Sequence, residues 1–280
     1  MPQNPLHRPT ISLMVLTLAI PLTISQADTA TLPLARDTTL FELNPQDNLG
    51  TQRDLPAGTL GTMGERKRSR LLFGVDLADG LPSGAIITAA RYRVLVTMAP
   101  ESGRADSDFA LHRVQVPWGE GDKRGDLPGG APATDGEASW QARLHPDHPW
   151  SVPGGEMGID FAAAPSAETL VSGVRSYIME FNDQGLADLQ AMAADPEANH
   201  GWVLVTKAEA QAKTARRFAS REHRTEPPVL EIDYELPKAP APSSPSIERD
   251  LATGDLIISM EANADHLYTL QSSGKLESTG

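Results

Sequence analysis

RSRLLFGVDLADGLPSGAIITAARYRVLV, residues Arg68 to Val96, decides the fold. In its first half Leu71, Phe73, Val75 and Leu77 alternate with Arg70, Leu72, Gly74 and Asp76, the period-two pattern of a strand with one buried face. Asp79, Gly80, Pro82, Ser83 and Gly84 then form a breaker cluster too dense for a helix. Ile86, Ile87, Val94, Leu95 and Val96 resume an apolar, β-branched run. Two strands joined by a turn predict the centre of a β-sandwich.

The flanking sequence continues in the same style. Thr31–Leu43 reads as extended, with Thr39, Leu40 and Phe41 in a strand and Pro33 excluding a helix interior. Asn44–Gly64, with Asn48 and four glycines, predicts short strands joined by tight turns. Phe109–Val116, FALHRVQV, is another strand, ended by Pro117. Trp118–Gly155 lacks aliphatic periodicity yet holds Trp118, Trp140 and Trp150, which predicts a long ordered loop with at most one short strand near Ser139–Leu144. One helix is expected: Asn182 or Asp183 caps it, Leu186, Leu189, Met192 and Ala193 recur on one face, and Asp195 with Pro196 ends it. WVLVT (Trp202–Thr206), RRFASRE and PVLEIDYEL supply the last strands.

The ends differ from this body. His7 and Arg8 precede an apolar run from Ile11 to Ile24, followed by Ser25 and Ala27, which predicts a secretory signal peptide over residues 1–27. The run is shorter than the roughly 20 residues a spanning helix needs, so a secreted or cell-surface protein that does not cross the membrane is expected. Residues 28–236 form the main domain and 237–246, PKAPAPSSPS, a stiff linker. Residues 247–280 offer only two strand runs, Asp255–Met260 and His266–Gln271, an incomplete β module.

Composition excludes several functions. With 24 Lys and Arg against 37 Asp and Glu, net charge −13, the chain repels polyanions at long range, and no general nucleic-acid binding is expected. Without cysteine there is no disulfide framework, thiolate metal site or cysteine nucleophile. No GxSxG, HExxH or phosphate-loop pattern occurs, which lowers the weight of an enzyme reading.

What cationic charge there is comes in clumps: Arg66, Lys67, Arg68 and Arg70 before one strand, and Lys213, Arg216, Arg217, Arg221 and Arg224 around another. On one face these would make a patch able to grip uronate or sulfate groups through planar guanidinium forks. The bland alternative is that Arg70 and Arg221 pair with neighbouring carboxylates and hold strands in register. The tryptophans have a similar pair of readings: Trp118, Trp140 and Trp150 either pin the long loop to the sandwich or offer a ring to a sugar, whereas Trp202 belongs in the core. Short-spaced oxygen donors in GEGDKRGD (Gly119–Asp126), or at Asp106 and Asp108, could hold a structural calcium, although the spacing fits no EF-hand. His145 and His148 flank Pro146 and read as loop histidines.

RSRLLFGVDLADGLPSGAIITAARYRV, VPWGEG, ASW, NHGWVLV and RRFASREHRTEPPVLEIDYE follow one another in an order that resembles the DNRLRE, or disaggregatase-related, domain. The resemblance covers about Asp37–Tyr234 and departs from the family in the Gly-rich insertion around Lys123–Gly136 and in a longer helix before Trp202. It implies a jelly-roll β-sandwich related to carbohydrate-binding modules that include binders of acidic polysaccharides. Together with the helix read from the chain's own pattern, the expected fold is an all-β jelly roll with one short helix. The resulting expectation is a secreted, non-catalytic module that binds a polysaccharide or cell-surface glycan, with Arg70, Arg217, Arg221 and Trp118 as ligand contacts. A structural or adhesive module that binds protein or matrix is the alternative, and a polysaccharide-degrading enzyme the third.

Overall fold

The structure, a computed structural model, describes residues 27–125 and 129–237 together with two further strands, Ser246–Arg249 and Leu256–Ser259. Residues 1–26, where the signal peptide is expected, lie outside the described residues, as does the run His266–Gln271. Among the described residues no helix is long and apolar enough to cross a membrane.

The fold is all-β and antiparallel, as the alternating runs predict. Its strands are β1 (Asp28–Phe41), β2 (Asp47–Asn48), β3 (Asp54–Thr59), β4 (Arg68–Val75), β5 (Ile86–Met98), β6 (Ser107–Arg113), β7 (Ala131–Pro132), β8 (Ala142–Leu144), β9 (His148–Pro149), β10 (Ala167–Val171), β11 (Ser176–Glu180), β12 (Trp202–Thr206), β13 (Arg216–Ala219) and β14 (Val229–Glu235). One sheet runs β1-β14-β5-β11 and the other β1-β4-β12-β6-β10. On the far side β3 and β13 link β4 to β5, so β1, β14, β5, β13, β3 and β4 close into a six-stranded, barrel-like ring. The remaining pair, β15 (Ser246–Arg249) and β16 (Leu256–Ser259), is antiparallel, and the contact-dense unit that holds the sandwich runs Gln26–Pro237.

β1 belongs to both sheets. Its first half pairs with β14 as far as Pro33↔Val229, and from Leu34 onward it pairs with β4, with a register shift between Leu34 and Arg36. Proline donates no backbone hydrogen bond, so Pro33 suits the position where the strand changes partners. The corner leaves the backbone N–H of Asp37 available to a side chain from elsewhere.

The core lies between the sheets. Phe73 of β4 stacks on Tyr92 of β5 with ring centroids 4.3 Å apart, Trp202 of β12 lies 5.8 Å from Phe73, and Phe181 meets Trp202 edge-on at 5.4 Å. Each such pair contributes roughly 0.5–1.5 kcal/mol beyond its buried area. The helix α1 (Asp183–Ala194) closes one end, burying Leu189 and Met192; the Asn182 side chain caps it by accepting from the Gly185 N–H.

The reading of β4 as a strand with one buried face needs correction, because seven of its eight residues are buried. Leu72 on the opposite face joins Leu40, Val203, Val205, Trp118, Trp140, Trp150 and Phe161 in a second core, roofed by the segment after β6. That segment also carries three short strands rather than at most one: β7 pairs with β2, and β8 with β9. Ladders of two or three residues leave no periodic trace in a sequence.

Polar anchors hold the roof down. Asn48, fully buried, donates to the carbonyls of Glu120 and Ala138 and accepts from the N–H groups of Gly50 and Lys123. Glu137 accepts from the N–H groups of Asp122 and Thr134 and pairs with Lys123. Four such bonds on one Asn satisfy loop backbone groups that would otherwise be buried without partners.

Candidate functional site

The basic clumps do not merge into a cationic face. Arg70 projects from β4 beneath the roof and is 7 % exposed; its guanidinium pairs with Glu209 and donates to the carbonyls of Gly154 and Gly155. Arg68, next along the same face, makes two hydrogen bonds to Glu42, 3.0 Å and 3.2 Å long. Arg216 is 1 % exposed and donates to the carbonyls of Ser172, Thr214, Ala215 and Ala105, a backbone clamp out of reach of any ligand. Arg217 is half-buried on β13, opposite Pro56 and Met98, and Arg221 pairs with Glu120 and Glu222. The grouping of Arg70, Arg217 and Arg221 into one anion-binding groove therefore does not form: strand register puts Arg70 on the outer face, while Arg221 lies at the β1 corner beside Asp37.

Trp118 is also corrected as a sugar platform. It is 2 % exposed, its Nε1–H donates to the His200 carbonyl at 2.8 Å, and the Arg36 guanidinium lies 4.3 Å from its ring centroid. Trp118, Trp140 and Trp150 all lie within the second core, so the loop-pinning reading describes them.

A pocket does open beside this core. It has a volume of about 510 Å³ and is lined by Glu42, Arg68, Arg70, Trp140, Val152 and Glu156, among others. Arg68 and Arg70 carry their guanidinium carbons 5.1 Å and 5.6 Å from the Trp140 ring centroid. Burial by itself would raise the Glu42 carboxyl, but the hydrogen bonds from the Arg68 side chain and N–H hold it below the usual range. The pocket thus combines carboxylate acceptors, guanidinium donors and an apolar wall of Val152, Pro153 and Met157 beside the edge of the buried Trp140, with its charges largely balanced.

A second cluster occupies the corner of β1. Asp37 is 1 % exposed and faces inward, like Thr39 and Phe41 further along the strand. Its N–H donates to Glu120 Oε1 at 2.8 Å, and its Oδ2 accepts from the Arg221 N–H at 2.7 Å. Oδ1 has no hydrogen-bond partner among the described residues. Ligand oxygens of Asp37, Glu120 and Glu222 lie within 4.8 Å of one another. Burial pushes the Asp37 carboxyl well above its usual range; the Arg221 N–H opposes that shift, and the negative charges of Glu222 and Glu120 reinforce it. Burial raises Glu120 in the same way.

Of the acidic stretches singled out for calcium, Gly119–Asp126 contributes Glu120 alone to this cluster. Asp122 and Lys123 are paired with each other, and Asp126 lies outside the described residues. Asp106 is tied to Arg104 and Arg216. The partners of Glu120 come from β1 and from the turn after β13, 83 and 102 residues away by number, which no spacing rule reveals. One signal was there: Asp37 occupies the inward parity of a strand whose next inward residues are Thr39 and Phe41.

No protein-family model matches the chain, and comparison with curated proteins finds no relative.

Proposed function

We propose that this protein is a secreted, non-catalytic carbohydrate-binding module whose ligand sits in the Arg68–Trp140 pocket. The observation that carries the reading is the pocket itself: about 510 Å³ of space where an apolar wall adjoins paired guanidinium and carboxylate groups. A pocket of that size falls in the range of small-ligand sites, and fixed planar donors and acceptors beside an apolar surface suit the hydroxyls and C–H faces of a pyranose. The resemblance to the DNRLRE domain supports the same reading. Glu42 and Glu209 are held in ion pairs with Arg68 and Arg70, respectively, which fixes them as acceptors for a bound hydroxyl.

Because Arg68 and Arg70 already face Glu42 and Glu209, the pocket does not favour polyanions over neutral glycans. Affinity electrophoresis through gels containing alginate, pectin, a sulfated polysaccharide, xylan or glucomannan tests the proposal. Retardation by at least one glycan, lost in Val152→Arg, is the expected result. Free migration in every gel would overturn it.

One observation favours the adhesive alternative. β10 and β11 are outer strands of their sheets, and Leu170, Val174 and Ile178 on and between them are all about half-exposed or more. Unpaired strand edges with apolar side chains are a template for another chain. Concentration-dependent self-association, abolished by Ile178→Lys, would support that reading.

A further inference from the structure

We propose that Asp37, Glu120 and Glu222 form a calcium site that fastens the long loop to the corner where β1 changes sheets. The proposal is independent of the carbohydrate reading. Three carboxylates from three distant segments bring ligand oxygens within 4.8 Å of one another, close enough for a single ion with Ca–O bonds of about 2.4 Å to reach all three. Magnesium, with shorter bonds and strict octahedral demands, fits such an irregular set less well.

An acidic cluster alone would mean little, since Glu120 and Glu222 are already paired with Arg221. The second observation is Asp37. Its carboxylate is almost wholly buried and one oxygen has no donor among the described residues, an arrangement that costs about 1–3 kcal/mol or more when nothing compensates it. Three carboxylates face two guanidinium groups, Arg221 in direct contact and Arg36 acting on Glu120, so acidic groups outnumber basic ones and a cation that displaces Arg221 holds all three carboxylates ionised. Arg221 reaches the cluster with a side chain that is 37 % exposed, so it can swing into solvent when the cation enters. The Asp37 N–H to Glu120 and Arg221 N–H to Asp37 bonds are made by backbone donors, which keep the two carboxylates in place during that exchange.

The test uses the full chain after dialysis against EGTA. Adding calcium to about 100 times its dissociation constant is expected to raise the melting temperature by on the order of 5 °C, reversed by EGTA, with heat of binding in isothermal titration. Glu222→Gln, at a partly exposed position, and Asp37→Asn both lose the response; should Asp37→Asn fail to fold, Glu222→Gln carries the test. Arg221→Gln removes the competing charge and tightens calcium binding by on the order of tenfold. Absence of both the melting shift and binding heat in the unmodified chain, or a full response in Glu222→Gln, would overturn the site; unchanged or weaker binding by Arg221→Gln would overturn the exchange.

Discussion

Arg70 and Glu209, 139 residues apart, meet in a two-pronged ion pair, with Arg70 Nε on Oε1 and Nη2 on Oε2, each at 2.7 Å. The third nitrogen, Nη1, donates to Gly154 and Gly155, so one guanidinium joins the first part of β4, the turn after β12 and the loop roof. A residue near the start of the fold-determining stretch is thus a structural clamp whose far edge lines a pocket.

Replacing Arg70 by Ala should destabilise the protein by about 3 kcal/mol, because Glu209 and two loop carbonyls lose their partner together. Arg70→Lys should recover only part of this, since an ammonium cannot match the fork. Urea denaturation measures both. A loss below about 1 kcal/mol for Arg70→Ala would equate the pair with an ordinary surface ion pair.

The four tryptophans, each 3 % exposed or less, should emit at short wavelength and resist acrylamide quenching in the native state. Trp150→Ala should cost about 3–5 kcal/mol, the usual result of emptying a packed aromatic site. Glycan retardation should survive Trp118→Phe, because Arg36 covers that ring; loss of retardation in a variant that still melts cooperatively would restore Trp118 as a contact.

Two histidines should lower stability on mild acidification. Burial depresses the His112 imidazole below its ordinary value of 6.5, while its Nδ1–H donates to the Ala162 carbonyl at 2.8 Å. A histidine whose folded pKa is depressed contributes stability that is complete above its unfolded pKa and is lost as pH falls through the folded value. His200, depressed by burial and by Arg36, Arg113 and Arg143, acts in the same direction. From about pH 6.5 downward the two imidazoles should lower the urea midpoint, while the raised Asp37 and Glu120 carboxyls act in the opposite direction, so the His112 share is read as the difference in slope between the unmodified chain and His112→Asn. An unchanged slope in the variant would remove His112 as its source.

Gly201 and Gly136 separate close approach from backbone strain. Both have positive φ, +75° and +83°, but a Cβ at Gly201 would lie 2.0 Å from the Phe73 carbonyl oxygen, whereas one at Gly136 would meet nothing within 4 Å. Gly136→Ala should cost about 1 kcal/mol of strain. Gly201→Ala should cost clearly more, since β4 and β12 must move apart. Equal losses in thermal unfolding would mean the chain relaxes around Gly201 freely.

Alternation along Leu71, Phe73 and Val75, a cap at Asn182 or Asp183 and the apolar run WVLVT were each sufficient to name the type of element, because these are local patterns, although the alternation did not show that both faces of β4 are buried. From them the all-β sandwich, its single helix and the burial of Trp202 follow. The sequence also carried the ambiguity of Arg70 and Arg221, and of the loop tryptophans, since a charge or a ring has the same letter whether it meets a partner or a ligand. Only the tertiary structure decided these. Register places Arg70 against Glu209, the roof buries Trp118, and the partner change in β1 brings Asp37, Glu120 and Glu222 together. Such contacts depend on long-range strand pairing and on a loop without periodicity, and neither leaves a local pattern in the chain.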